Sequence, residues 1–217
     1  GEIVDLPGLV CAGRTESVRA ACGFDPVSGG TVTICGEELR PLNIKNAIGH
    51  GLVMASEDRR KYGIVGSRSI KENVSLPNLQ ILSKGGFIQH GKERGAVKVF
   101  FDRLRIKANS LNVPAYTLSG GNQQKVVLAK WMMASPKVLI LDEPTRGIDV
   151  GAKYEIYEIM NEMAAAGMGV VMISSELPEL LGMCKRVYVV AEGRIAGELT
   201  GSELTQEKVM AYATGGK

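Results

Sequence analysis

Apolar positions fall into two patterns that alternate along the chain. The segments 52–55 (LVMA), 138–141 (VLIL), 170–173 (VVMI) and 187–191 (VYVVA) are short continuous apolar runs, and they predict buried strands. The opening GEIVDLPG predicts a strand entering a glycine turn, followed by a short helix over 15–22. Gly29-Gly30 punctuates the run TVTIC at 31–35, whose β-branched alternation reads as extended chain. The second pattern has helical spacing. Val97, Phe101 and Leu104 predict a helix within 96–106, and Ile156, Ile159, Met160 and Met163 share one face of a helix over 151–166. Shorter helices are predicted over 44–50 and 178–183, and Thr205 caps a last helix ending near Gly215-Gly216.

Strands separated by helices imply a largely parallel sheet with its ligand at the carboxyl ends of the strands. From Glu57 to about Ala134 strand runs disappear, so 67–134 is read as an inserted helical lobe, and 1–66 with 135–217 as the α/β core of a single domain spanning 1–217. No internal repeat interrupts this alternation.

Composition narrows the class only slightly. A chain of 217 residues with 45% hydrophobic content can bury one core. A net charge of +3 and 5% aromatic content argue against nucleic acid as a partner. Cys11, Cys22, Cys35 and Cys184 lack C-x-x-C spacing and are expected to be structural thiols. No apolar run approaches ~18 residues, and the opening is not a signal peptide, so any membrane role is expected to come through a partner.

The chemistry concentrates in two stretches. Residues 138–149 read VLILDEPTRGID, in which a buried strand delivers Asp142 and Glu143 at its carboxyl end before a turn at Pro144. One such acid can hold a magnesium shell and the next can polarise an attacking water. Residues 118–125 read LSGGNQQK, placing Ser119, Gly120 and Gly121 at a helix start whose free N–H groups suit an anion. A third stretch, 8–15 (GLVCAGRT), lies where a phosphate loop would sit between strand and helix. Gly8 and Gly13 fit that pattern, Thr15 keeps the hydroxyl that would reach magnesium, and Arg14 stands for the lysine. An ordinary glycine turn without a ligand is the other reading of this loop.

The pair LSGGNQQK and VLILDEPTRGID resembles the ATP-binding domains of ABC transporters, in which LSGGQ is the family motif. The resemblance implies an α/β P-loop core with a mainly parallel sheet, an antiparallel β-subdomain and an inserted α-helical lobe, binding ATP with Mg2+. Against that family, Cys11 replaces a further glycine, Glu16 a second hydroxyl residue, Glu57 a glutamine that touches metal and water, and Ser175 a histidine that contacts the terminal phosphate. A Glu16 carboxylate facing phosphates at ~5 Å and an effective dielectric of ~20 would repel each phosphate charge by about 3 kcal/mol. Glu143 remains in the place of the general base.

Together with SSELPE, EDRR and the arginine-containing GLVCAGRTE, these departures look like the second nucleotide-binding domain of tandem monosaccharide importers of the ribose, galactose and xylose class. The resemblance runs from Gly1 to about Gly215, and begins after the strands and the adenine-stacking aromatic with which such domains open, so a piece of a longer chain is expected. It implies that Ser119, Gly120, Gly121 and Asn122 contact the γ-phosphate of ATP held by the first nucleotide-binding domain of the same protein, and that Asp149 communicates across that interface. Transmembrane permease subunits, touched by the lobe and the loop around 57–65, and indirectly a sugar-binding protein complete the implied partners. The implied place is the cytoplasmic face of the plasma membrane, held peripherally through the permease. A non-catalytic half that lends only its LSGG helix start is the competing reading.

Overall fold

A computed structural model of the chain describes residues 1–9 and 11–215. Its elements in order are β1 (Glu2–Asp5), α1 (Arg14–Ala21), β2 (Thr33–Ile34), β3 (Glu37–Glu38), α2 (Ile44–Gly49), β4 (Leu52–Ala55), α3 (Ile70–Ser75), α4 (Leu79–Leu82), β5 (Ser83–Lys84), β6 (Phe87–Ile88) and α5 (His90–Arg103). They continue with α6 (Gly120–Met133), β7 (Val138–Asp142), α7 (Val150–Ala165), β8 (Gly169–Ile173), α8 (Leu177–Met183), β9 (Arg186–Ala191), β10 (Arg194–Thr200) and α9 (Gln206–Ala213). A π-helical turn, Arg59–Gly63, follows β4. The chain divides into two compact units. Gly1–Met54, Lys137–Pro144 and Met160–Lys217 form the first, and Ala55–Pro136 with Thr145–Ile159 the second.

The first unit is built on a six-stranded sheet in the order β10-β9-β1-β8-β7-β4. β1 pairs in parallel with β8 and β9, β7 in parallel with β8, and β10 antiparallel with β9. Its mainly parallel character follows from the helices between the strands, and the apolar runs of β4, β7, β8 and β9 supply its interior. Val18 and Cys22, Ala47, Leu52, Met54, Ile140 and Ile173 form one core cluster with Ile34 and Leu39. The register sets Asp5 beside Met172 and Asp142 beside Ile173. Loop 6–13, Glu143 and Ser174-Ser175 therefore leave the sheet at the same end.

In the second unit α3, α5 and α6 pack on one another, with Ile70, Val74, Val97, Val126 and Leu128 fully buried. Ser69 caps α3 in a reciprocal capping box with Glu72. The Asn73 side-chain amide donates to the carbonyls of Val65, Arg68 and Ser69 while its oxygen accepts from Val65 N–H, which fixes the turn ahead of α3.

Several sequence expectations need correcting. Within TVTIC only Thr33–Ile34 is a strand, and it turns through Cys35 and Gly36, both at positive φ, to pair with β3. Strands do not vanish after Glu57, because β5 and β6 form a second small hairpin around Gly85-Gly86. β10 was absent from the apolar pattern, since only Leu199 in it is buried. The helix read within 96–106 begins at His90 and ends at Arg103, with Arg105 at positive φ beyond it. Thr205 does cap α9, accepting from Lys208 N–H, while Gly216 lies outside the described residues. All four cysteines are free, but only Cys22 and Cys184 are buried, where burial raises both thiols, Cys22 to about 11; Cys11 and Cys35 are exposed.

Candidate functional site

In the first unit, the loop between β1 and α1 leads a helix with no side-chain cap. Gly13 holds the N-cap position at φ 91°, a conformation that glycine adopts without steric cost. With no side chain on them, the first N–H groups of α1 remain available to an anion. Gly8 bridges to Val190, and Cys11 sits at φ 65° where the related pattern carries glycine. Val10, in the middle of the loop, lies outside the described residues.

Three polar pairs gather where α1 begins and β7 and β8 end. The Thr15 hydroxyl donates to Asp142, 3.1 Å from Oδ2 and 3.3 Å from Oδ1. Arg14 turns its guanidinium to the end of β8, donating from Nη1 to the Ser174 carbonyl at 3.1 Å. The Ser175 hydroxyl donates to Glu143 Oε2 at 3.1 Å. Glu143 is half-buried at φ 47°, with its amide bonded to the Ile173 carbonyl at 2.8 Å. Burial pushes the Asp142 carboxyl above the usual carboxylate range; the Thr15 hydroxyl and Arg14 pull it down, while Glu143 and Glu16 add to the rise. A hydroxyl and a carboxylate already within hydrogen-bond reach are hard oxygen donors that suit Mg2+, so Thr15 and Asp142 fit the metal expected there.

Glu16 is exposed. Its repulsion of a bound phosphate is therefore screened by water, about 1 kcal/mol per charge at ~5 Å rather than about 3 kcal/mol.

In the second unit, Ser119 stands exposed at the N-cap of α6 and spends no side-chain hydrogen bond on the cap. Instead its Oγ accepts from the Asn122 side-chain Nδ2 at 2.9 Å, and Asn122 Oδ1 accepts from Lys107 N–H at 2.8 Å. Gly120 and Gly121 are required by close approach. A Cβ on Gly120 would lie 2.6 Å from Arg59 Nη2 and 3.1 Å from the Gly147 carbonyl oxygen, and one on Gly121 would lie 2.5 Å from Ala152 Cβ. Asp149 is exposed and caps α7, its Oδ1 accepting from Ala152 N–H at 2.9 Å. Glu57 belongs to this unit, where it is exposed and paired with Arg146.

Two features escaped the sequence. Arg59, the first of three consecutive basic residues, is half-buried and bonded to the carbonyls of Arg146 and Gly147, while Arg60 and Lys61 are exposed. Asp5 is 0% exposed, and neither oxygen has a well-formed hydrogen-bond partner among the described residues. Its place at the end of β1, directly after Ile3 and Val4, was the available signal.

The chain is similar to proteins already known. The model of the ABC transporter family matches residues 1–146. The chain is 51% identical over 217 residues to the ribose import ATP-binding protein RbsA of Bacillus subtilis (strain 168), covering 100% of this chain and 44% of that protein. It is 50% identical over 218 residues to the xylose import ATP-binding protein XylG of Geobacillus kaustophilus, covering 100% of this chain and 43% of that one. The chain thus spans less than half the length of these relatives. Among solved structures it is similar to MJ1267, an ATP-binding cassette of an ABC transporter, with a TM-score of 0.83 at 19% identity over 97% of this chain and 87% of that one, a likeness of fold.

Proposed function

Because the chain belongs to the ABC transporter family of ATP-binding domains, we propose that it is the second nucleotide-binding domain of a tandem monosaccharide importer, and that its two half-sites have unequal roles. Identity of 50–51% along the whole chain to ribose and xylose import proteins supports the sugar class. The observation that carries the asymmetry is the contrast between the two helix starts. At α6 the Ser119 hydroxyl is exposed at the N-cap, ahead of a glycine pair held by close packing. At α1 the cation that would meet phosphate is instead bonded to the Ser174 carbonyl, and a serine occupies the position expected for histidine.

In this reading Ser119, Gly120, Gly121 and Asn122 complete the site of the first domain by offering N–H groups and a hydroxyl to the γ-phosphate of its ATP. Asp149, fixed by its cap on α7, would report across that interface. In the domain's own pocket, Gly8, Gly13 and Arg14 would line the phosphates and Thr15 with Asp142 would hold Mg2+, which when bound neutralises phosphate charge. Glu143 would accept a proton from the attacking water, with Ser175 orienting the carboxylate. Serine cannot supply the positive charge of a histidinium, so this pocket turns over slowly. Glu57, which is paired with Arg146, would stand for the glutamine that touches metal and water in the related pattern.

No helix among the described residues is long and apolar enough to cross a membrane. The permease would dock on the second unit, where a cavity of ≈ 270 Å³ is lined by Val65, Leu76, Leu79 and Ile88 among other residues, and where Tyr62, Ile81 and Phe87 are exposed. In this reading the domain would lie peripherally at the cytoplasmic face, with a sugar-binding protein acting through the permease. The reading in which this half does not hydrolyse at all draws on the same Arg14 and Ser175 geometry.

Comparison of Glu143→Gln with the matching change in the first domain, both in the full-length transporter, tests the asymmetry. Transport should fall about tenfold further with the first-domain change, since one general base supplies a factor of about 100 or more where it is used. Equal losses would defeat the unequal-site reading.

A further inference from the structure

The turn Arg59–Gly63 is fastened at both ends to elements that carry functional backbone. At its far end the Lys130 ammonium of α6 donates to the Gly63 carbonyl at 2.5 Å, and Gly63 packs so closely on Val127 that a Cβ would lie 3.0 Å from Val127 Cγ2. At its near end Arg59 donates from Nη1 to the Arg146 carbonyl at 2.8 Å and from Nη2 to the Gly147 carbonyl at 3.4 Å. The same Nη2 lies against Gly120, and the Arg146 side chain reaches back to Glu57. Asp58 closes the turn by accepting from the Arg60 and Lys61 amides. One planar guanidinium thus touches the loop that holds Glu57, the first residue of α6 and the turn that leads to Asp149.

We propose that Arg59 is a positioning residue that ties the 57–64 loop to the start of α6 and to the 146–149 turn, so that displacement of the loop by a permease moves Ser119–Gly121 and Asp149 together. The proposal rests on the reading that those two segments act on a nucleotide held by the partner domain. A guanidinium suits the role because its fixed fork can donate to two neighbouring carbonyls at once, whereas an ammonium is a single point of attachment.

The test uses the full-length protein assembled with its permease subunits in vesicles, with Arg59→Ala and Arg59→Lys. Arg59→Ala should lower stimulated ATP turnover by about tenfold or more, the loss of two charge-assisted hydrogen bonds, with KM for ATP within about twofold of the unmutated protein. Arg59→Lys should restore only part of the loss. Turnover in Arg59→Ala within about twofold of the original, or full activity in Arg59→Lys, would overturn the proposal, as would a rise in KM that accounts for the whole effect. Amide hydrogen exchange reads the tie independently of catalysis. Exchange at 120–124 and 147–152 should quicken by about tenfold in Arg59→Ala while 138–142 stays protected, and unchanged exchange would overturn the tie whatever happens to turnover. An unmutated assembly without ATP turnover would instead sink the functional reading, and the exchange rates would still decide the tie.

Discussion

The Thr15 hydroxyl and the Asp142 carboxylate, 127 positions apart in sequence, meet at 3.1 Å where α1 begins and β7 ends. If this pair holds Mg2+, the metal's share of nucleotide affinity depends on the charge of Asp142. Asp142→Asn in the full-length protein should reduce the gain in ATP affinity that Mg2+ brings to this site by about tenfold, the loss of one charged ligand. Calorimetric titration with Mg2+ and with a chelator in its place measures that gain. An undiminished gain in the variant would remove Asp142 from the metal site.

Asp5 should be a cost to stability rather than a support. Burial raises its carboxyl well above the ordinary range, and the Ser174 amide and Arg14 offset only part of this, with Glu143 and Glu179 adding to the rise. A carboxyl whose folded pKa is raised binds protons more tightly in the native state, so its destabilising share is present above the folded pKa and fades as pH falls through it. Asp5→Val should therefore stabilise the protein by about 1–3 kcal/mol at neutral pH, and the advantage should shrink on acidification. Thermal unfolding of the two proteins across pH would show it. A variant less stable at neutral pH, or a gap independent of pH, would contradict this account of Asp5.

The pair of Lys125 with Glu155 has the opposite sign. Lys125 is 2% exposed on α6, and its ammonium donates to the Arg105 carbonyl at 3.2 Å and lies 2.7 Å from Glu155 on α7. The hydrogen bond from Lys125 holds the Glu155 carboxyl below the usual range, against a smaller rise from burial. Its contribution is present above the unfolded carboxylate pKa and is lost as pH falls through the folded one. Glu155→Gln should cost about 2 kcal/mol at neutral pH, less than for a fully buried pair because Glu155 is partly exposed, and the difference should vanish in acid. Denaturant unfolding at neutral and acid pH gives the comparison, and an equal cost at both would refute the pairing as its cause.

The legible parts of this protein are those whose signal is local. β4 and β7 are almost wholly buried and read as unbroken apolar runs, and Ile156, Ile159, Met160 and Met163 are buried along one face of α7 as their spacing predicts. Asp142 and Glu143 stood out because strand, acids and turn are contiguous. β3 and β10 were missed because they are held by neighbouring backbone rather than by a buried face, with Glu37 and Glu38 both exposed and Leu199 the one buried residue of β10. Arg59 was invisible for a related reason. Its partners are main-chain carbonyls 87 and 88 positions away, and no side-chain pattern records a bond to a carbonyl. The bond from Arg14 to Ser174 is hidden in the same way, since it joins a side chain to a main-chain carbonyl 160 positions away.

The central claim is that the start of α6 serves a nucleotide that this domain does not itself hold. Ser119→Arg in the full-length protein tests it most directly, with ATP turnover and nucleotide affinity at this domain's own pocket measured side by side. The account predicts that turnover falls by about 100-fold or more, because a bulky cation displaces the groups aimed at the γ-phosphate, while affinity at the 8–15 loop stays unchanged. Normal turnover in that variant would contradict the claim.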